Sequence, residues 1–212
     1  MFPDMIELAI NYRGYGDSHG RPGERQVIDD GKLLFDWLIA HAAGSDPHRV
    51  AIVGRSLGSG VAIQVAAHRP VAALVLLTPF DSVLATVKTR LRSMPVALML
   101  RHRFESIRYA PLLSAPILVL RAEADEIVPH RHTDALVSKL ATLKHDQIVP
   151  GSDHFNIPYL GETQRRIADF LRRHLLRRSM DPQQRQERRV RREGAGGRGR
   201  FALTMSSPKP AR

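Results

Sequence analysis

The sequence predicts an α/β protein with a mostly parallel sheet and helices on both faces. Short apolar runs recur along the chain, turn residues follow each run, and helical patterns fill the intervals between them. The runs predicted as strands are Ile6–Ile10, Val50–Val53, Val71–Leu77, Ile117–Leu120 and, more weakly, Gln147–Val149. Most of these runs are continuously apolar, which is typical of strands buried on both faces.

Helices are predicted in the intervals. The clearest one, over about residues 24–43, has apolar residues at helical spacing on one side and charged residues opposite. A second follows Ser56 and ends by Arg69, because the next residue is a proline. The remaining two are predicted over about residues 133–143 and 161–178.

The pattern changes over residues 81–115, where arginines interrupt the apolar residues. We expect a cap-like helical insertion here. Two interpretations remain open: the segment lines a substrate entrance, or it is a helical pair packed on the core.

The composition limits the class of protein. A chain of 212 residues with 43% hydrophobic side chains supports one sizeable core, which we place in residues 1–178. The absence of cysteine excludes disulfides, thiolate nucleophiles and cysteine-based metal sites. The longest apolar run is too short to span a membrane, and no basic region precedes a hydrophobic stretch at the start. We therefore expect a cytoplasmic protein without a membrane span; the oligomeric state stays open.

The net charge of +11 is concentrated at one end of the chain. Residues 179–212 hold nine Lys or Arg against three Asp or Glu. They lack the apolar periodicity that offsets the entropy of ordering, so we expect a basic, disordered tail there. This tail can attract polyanions, although a solvated extension without a partner is favoured. Aromatic side chains do not alternate with its charges, so no specific nucleic-acid partner is predicted.

The most informative motif is Gly54-Arg55-Ser56-Leu57-Gly58, between a predicted strand and a predicted helix. Such a sharp turn holds the serine in a strained backbone conformation with its hydroxyl exposed. Side chains at the two glycines would collide with neighbouring backbone. The motif therefore predicts Ser56 as a nucleophile, whereas an isolated serine between glycines is often only a tight turn.

A serine nucleophile needs a base, and the base needs an acceptor that fixes its tautomer. Asp125 and His154 each follow a predicted strand, so both are expected at the carboxyl edge of the sheet with Ser56. The order Ser, Asp, His is the one used by α/β-hydrolases. Asp81 is a rival acid, Asp153 is a weaker one, and Asp125 could instead cap the helix that follows.

Other motifs do not predict a bound group. Gly14, Gly16 and Gly20 miss the spacing of a dinucleotide fingerprint by one residue, and residues 54–60 lack the lysine of a phosphate-binding loop. His130, His132 and Asp134 lack a further ligand cluster. We therefore expect no cofactor and no metal.

Four segments form a specific set: Asn11–Ser18, Gly54–Gly60, Ala122–Pro129 and Gly151–His154. With these segments the chain resembles the α/β-hydrolase superfamily, near its serine-aminopeptidase-like and Bem-like branch. The resemblance implies an α/β-hydrolase fold with Ser56 as nucleophile, His154 as general base and then acid, and Asp125 as the orienting carboxylate. It also implies that the Leu57 backbone N–H is an oxyanion donor.

The amino-terminal part departs from the family pattern. Ile6–Ile10 matches the family's fourth strand, and the three earlier strands and a His-Gly-type loop with a second oxyanion donor do not precede it. The family's third strand lies between the fourth and fifth, so an empty slot is expected between Ile6–Ile10 and Val50–Val53. Either these strands pair directly, or the protein begins upstream of Met1, which we favour. One missing oxyanion donor costs about 10²–10³ in turnover, so we expect weak or no activity.

The sequence thus predicts a serine hydrolase that acts on a small-molecule acyl substrate: a carboxylic ester, thioester or small amide. The alternative is a non-catalytic binding or scaffold protein with a polyanion-binding tail. Fold-level resemblance does not identify the substrate.

Overall fold

A computed structural model describes residues 5–44, 46–91, 94–177 and 201–206. Its centre is a six-stranded sheet in which every neighbouring pair is parallel, in the order β1-β6-β2-β3-β4-β5. The strands are β1 (Ile6–Ala9), β2 (Val50–Arg55), β3 (Ala73–Leu77), β4 (Ile117–Ala124), β5 (Leu143–Asp153) and β6 (Phe201–Ser206). The predicted fold class, a mostly parallel sheet covered by helices, is confirmed.

The longer helices alternate with the strands, and shorter ones lie between β3 and β4. Their bounds are α1 (Glu24–His41), α2 (Leu57–His68), α3 (Val83–Arg90), α4 (Val96–Met99), α5 (Ser106–Tyr109), α6 (His130–Val137) and α7 (Gly161–Arg177). Within the described ranges, no helix has the length and apolar content needed to cross a membrane.

The sheet has an apolar core on each face. Alternate residues of β2 point to opposite faces, so Val50 and Ile52 pack with α1 and α2, whereas Ala51 and Val53 pack with α7. Helix α2 is apolar nearly all round, and its residues 58–66 are buried. It ends at His68, before an extended Arg69, as the following proline predicts.

The slot expected beside β1 is filled by residues from the far end of the sequence. β6 pairs with β1 on one side and β2 on the other, so those two strands neither pair directly nor leave a gap. Ala202, Leu203 and Met205 are fully buried. Helix α1 approaches this strand so closely that a Cβ on Gly31 would lie 2.9 Å from the Met205 methyl carbon.

The prediction of a disordered tail over residues 179–212 is therefore wrong for Phe201–Ser206, and the sheet extends past the predicted boundary at residue 178. The apolar run is too short to stand out, but the open edges of β1 and β2 supply partners for its backbone N–H and C=O groups. Residues 178–200 and 207–212 lie outside the described residues.

The segment between β3 and β4 contains three short helices, as expected of a helical insertion. Two backbone hydrogen bonds tie its ends together: Val83 N–H donates to Arg103 O, and Ile107 N–H donates to Asp81 O. These bonds close the insertion at its base, and most residues of α3 and α4 between them are partly or fully exposed.

Two boundaries near the carboxyl end differ from prediction. The helix predicted over 133–143 is α6, which begins three residues earlier and ends at Val137. The weak strand at Gln147–Val149 is the centre of β5, which is 11 residues long. β5 is an edge strand, and its exposed residues Lys144, His145 and Asp146 interrupt the apolar signal used to predict it.

Candidate functional site

Three loops at the carboxyl edge of the sheet bring the predicted site residues together. Ser56 follows β2, Asp125 follows β4, and His154 follows β5. Parallel strands end on the same edge, so each residue needs only a short loop to reach the others.

The turn at Ser56 has the strained backbone that its motif predicts. Ser56 has φ 50° and ψ −122°, which is unusual for a residue with a side chain. A Cβ on Gly54 would lie 2.5 Å from Gly58 O, so the strand and helix approach too closely for any larger residue. Ser56 N–H donates to Leu77 O at 3.0 Å, which fixes the turn against β3.

Hydrogen bonds link the three side chains in a row. His154 Nδ1 lies 2.9 Å from Asp125 Oδ1 and 3.0 Å from Oδ2, and His154 Nε2 lies 2.9 Å from Ser56 Oγ. An ionised carboxylate only accepts, so Nδ1 carries the proton and Nε2 is free to accept from the serine hydroxyl. His154 and Asp125 have side chains only 7% and 3% exposed, which shields this pair from water.

Asp125 also organises its own loop. Its Oδ1 accepts hydrogen bonds from Ile127 N–H at 2.9 Å and Val128 N–H at 2.7 Å. The alternative that Asp125 caps the next helix is wrong, because α6 begins after Pro129. Backbone N–H groups therefore hold the Asp125 carboxylate in its orientation toward the imidazole.

Asp153, the weaker candidate acid, is engaged in the histidine loop. Its Oδ1 accepts from Phe155 N–H and Asn156 N–H, at 2.7 and 2.8 Å. The Asn156 side chain in turn accepts from Asp153 N–H. These bonds close a tight turn that places His154, and the Phe155 ring meets the imidazole edge to face at 5.5 Å.

Two residues that join the acid and histidine loops were not assigned a role from the sequence. Ser152 Oγ accepts from Glu123 N–H at 3.0 Å and donates to Val149 O at 2.6 Å. The Glu123 carboxylate accepts from Gly151 N–H at 2.9 Å. Both belong to the quoted motif segments, but nothing in sequence spacing indicates that the side chain of each accepts a hydrogen bond from a backbone N–H of the other strand.

Asp81, the rival acid, belongs to a second Asp–His pair. His132 Nδ1 lies 3.0 Å from Asp81 Oδ1, and His132 Nε2 lies 3.0 Å from Thr89 Oγ1. Thr133 on the same helix donates to Pro79 O at 2.7 Å. This network fastens α3 and the loop after β3 to α6, and it bonds a different histidine from the one at Ser56.

A buried arginine supports the strands below the site. Arg121 on β4 is 9% exposed and bonds Asp146 on β5 and Asp134 on α6, with N–O distances of 2.6–2.7 Å. Burial opposes its charge, but the bonds to both carboxylates dominate and raise the pKa of Arg121. The pairing holds β4, β5 and α6 together four residues before Asp125.

The first quoted motif, residues 11–18, forms a structural loop after β1. Arg13 makes two hydrogen bonds to the Asp30 carboxylate, which attaches the loop to α1. Tyr12 is buried, and burial raises the pKa of its hydroxyl. Gly14 has φ 81°, and a Cβ there would lie 2.8 Å from Pro22.

The His130, His132 and Asp134 side chains contact different groups. His130 bonds Ala122 O, His132 bonds Asp81 and Thr89, and Asp134 bonds Arg121. Across the described parts of the chain, no group of three or more His, Cys, Asp or Glu is arranged to hold a metal.

The amino-acid sequence matches a known protein family and is similar to sequences of known proteins. The model of the Dienelactone hydrolase family matches residues 16–154. An uncharacterised protein of Mycobacterium tuberculosis is 37% identical over 168 residues, covering 79% of this chain and 59% of that protein. Lysophosphatidylserine lipase ABHD12 of Danio rerio is 31% identical over 144 residues, covering 58% of this chain and 36% of that protein. The chain thus spans less than two thirds of the length of either relative.

Solved structures share the fold. An alpha-beta serine hydrolase homologue from Coxiella burnetii has a TM-score of 0.56 at 24% identity, covering 76% of this chain and 66% of that one. A monoacylglycerol lipase from Paleococcus ferrophilus has a TM-score of 0.54 at 20% identity, covering 77% and 82%. These likenesses confirm the α/β-hydrolase fold. Because the family match includes the turn at Ser56, the Asp125 loop and His154, the chain belongs to the Dienelactone hydrolase family.

Proposed function

We propose that this protein is a serine hydrolase that cleaves a carboxylic ester, thioester or small amide through an acyl-enzyme on Ser56. The observation that carries the proposal is the row of hydrogen bonds from Ser56 through His154 to Asp125. In this arrangement the serine hydroxyl can donate its proton to the imidazole nitrogen Nε2.

The first half of the reaction transfers the acyl group to the serine. Ser56 Oγ attacks the carbonyl carbon while its proton passes to His154 Nε2, and the carbonyl electron pair moves to oxygen. The Leu57 N–H lies in the first turn of α2, where it has no intrahelical acceptor, so it can donate to this oxyanion. When the tetrahedral intermediate collapses, the bond to the leaving group breaks and His154 returns the proton to that group.

The second half releases the acid. Water attacks the acyl carbon, gives its proton to His154 Nε2, and the bond to Ser56 Oγ breaks as the serine regains a proton. The Asp125 carboxylate stabilises the imidazolium in both halves and keeps the productive tautomer. The backbone N–H groups that bind Asp125 and the turn around His154 keep the carboxylate and the imidazole in position during each proton transfer.

Carboxylic esters are the favoured substrates within this class. The family is one of hydrolases, and the printed names of similar proteins include a lysophosphatidylserine lipase and a monoacylglycerol lipase. The chemistry at Ser56 is the same for an ester of any acyl chain, and the residues around the entrance determine which chain fits.

A fluorophosphonate probe tests the nucleophile directly, because it reacts with activated serines. Labelling is expected to vanish in Ser56→Ala and to fall by at least about 10³-fold in rate in His154→Ala. Matched controls are Ser138→Ala, an exposed serine on the surface, and His130→Ala, whose imidazole bonds Ala122 O. Labelling that survives Ser56→Ala would show that another residue is the nucleophile.

The rate of turnover tests the expectation of weak activity. With Leu57 as the one assigned oxyanion donor, hydrolysis of p-nitrophenyl acetate is expected to run about 10²–10³ below a typical member of the superfamily. Folded protein that reacts with neither the ester nor the probe would favour a non-catalytic binding role instead.

A further inference from the structure

The insertion between β3 and β4 carries an unusual concentration of exposed apolar side chains. Leu98 is 89% exposed and Met99 64%, and Leu91 and Met94 are 43% and 46% exposed. All four lie within ten consecutive residues, on and just before α4. Scattered single apolar residues are ordinary on a protein surface, but a contiguous group marks an interaction site.

The charge around this group has one sign. Residues 82–104 contain five Lys or Arg and no Asp or Glu. Lys88, Arg90 and Arg101 are exposed beside the apolar residues. Acids that border this range are bonded to other groups: Asp81 bonds His132, Glu24 accepts from Arg103 N–H, and Glu105 pairs with Arg108 at 3.1 Å.

The base of the insertion is fastened to the core, so the apolar group has a defined position. His102 accepts from Glu24 N–H at the start of α1, and Arg103 donates to Ala97 O at 3.0 Å. Val96 is buried in the same short helix that exposes Leu98 and Met99. Helix α4 therefore presents one side to the core and the other outward.

An exposed apolar segment with cations before and after it in the sequence fits one partner better than others. At the surface of an anionic phospholipid bilayer, the apolar side chains enter the acyl region while the cations contact the headgroup phosphates. A second copy of the chain would instead bring like charges together around the apolar group, which is unfavourable.

We propose that residues 88–91 and 94–101 form a docking surface for anionic phospholipid membranes, with Leu98 and Met99 inserted and Arg90 and Arg101 at the headgroups. Docking does not depend on the chemistry at Ser56. That docking delivers membrane-borne acyl esters to Ser56 is a consequence that rests on the proposed function.

The test uses the full-length protein carrying Ser56→Ala, so binding is measured without turnover. Co-sedimentation is compared between phosphatidylcholine vesicles and vesicles with about 30% phosphatidylglycerol, at low and high salt. We expect binding to the anionic vesicles, weakened by salt. Adding Leu98→Ser and Met99→Ser should weaken it by at least about tenfold, and Arg90→Gln with Arg101→Gln by a similar factor.

Matched controls alter the same residue types elsewhere. Leu33→Ser with Leu112→Ser removes two other exposed leucines, and Arg165→Gln with Arg172→Gln removes two cations on α7. Each is expected to change binding by less than about threefold. Arg188→Gln with Arg189→Gln tests the basic region near the end of the sequence.

The proposal is overturned if the insertion variants bind like the parent, or if the loss follows Arg188 and Arg189 instead. It is also overturned if light scattering finds a dimer that the Leu98→Ser and Met99→Ser changes dissociate, because the surface would then contact a second copy. A failure of the fluorophosphonate experiment would leave the vesicle result unaffected.

Discussion

The half of the sheet that carries Ser56, Asp125 and His154 differs from the half formed by β1 and β6. The difference is whether strands that are neighbours in the sheet also follow one another in the sequence. From β2 to β5, strands that follow one another in sequence are also neighbours in the sheet. In the other half, Ile6 and Val50 both pair with Phe201, near the opposite end of the sequence. The site is therefore built from successive strand–loop units, whereas the strand beside the Ser56 turn comes from a remote segment.

The positions of the site residues and of β6 therefore have different physical causes. Each site residue follows its own strand, so local sequence determines where it lies. β6 has its place because β1 and β2 present unpaired edges and an apolar surface on both sides. The following changes test whether both halves contribute as the structure indicates.

The largest expected effect is on the orienting carboxylate. Asp125→Asn keeps the shape of the side chain but favours the wrong imidazole tautomer, so kcat/KM for p-nitrophenyl acetate should fall by about 10⁴-fold. Asp81→Asn is the matched control and should change kcat/KM by less than about tenfold, since Asp81 bonds His132. A larger loss in Asp81→Asn than in Asp125→Asn would contradict the assignment.

The second effect compares the two halves of the sheet directly. Leu203 in β6 and Leu74 in β3 are both fully buried in the same core. Each change to alanine should lower the free energy of unfolding by about 2–5 kcal/mol, measured by urea denaturation. If Leu203→Ala costs little while Leu74→Ala costs the expected amount, β6 does not pair with the sheet in solution.

The third effect concerns the hydrogen bonds of His132, which link α6 to the loop after β3 and to α3. His132→Ala removes the link between α6 and the loop after β3, and should cost about 1–3 kcal/mol of stability. Thr89→Val removes one bond of the same network and should cost less. A double-mutant cycle measures their coupling, and additive effects would mean that the two side chains act independently.

The smallest effect concerns α1, which packs beside β6. The Arg69 guanidinium bonds Asp36 and lowers the pKa of that carboxyl. A lowered pKa stabilises the folded state at pH values above the ordinary carboxyl pKa, and the contribution is lost as pH falls. Because both side chains are partly exposed, Asp36→Asn should cost less than about 1 kcal/mol at neutral pH.

The same comparison at about pH 3 provides the control. The contribution of the Asp36 charge is lost progressively as pH falls below the ordinary carboxyl pKa, so the difference in unfolding midpoint between wild type and Asp36→Asn should be smaller there than at neutral pH. An equal difference at both pH values would show that the charge on Asp36 is not responsible.

The comparison also explains what the sequence could predict. Strand β2, the turn at Ser56 and the loops of Asp125 and His154 have local signals: apolar runs, required glycines and turn residues. β6 lacks such a signal, because Phe-Ala-Leu-Thr-Met-Ser is short and follows a glycine- and arginine-rich stretch. The bonds of Ser152 with Glu123 and of Asp81 with His132 could not be predicted either, because they join residues of separate elements that approach each other only in the finished fold.

The placement of β6 has a consequence for biosynthesis. Residue 201 leaves the ribosome after all other described elements, so until then the edges of β1 and β2 that pair with β6 have no partner among the described residues. Such edges are where growing chains aggregate or recruit chaperones. A premature stop before residue 201 would leave β2, the strand that leads into the Ser56 turn, without its neighbour β6, so the surroundings of this turn are completed late in translation.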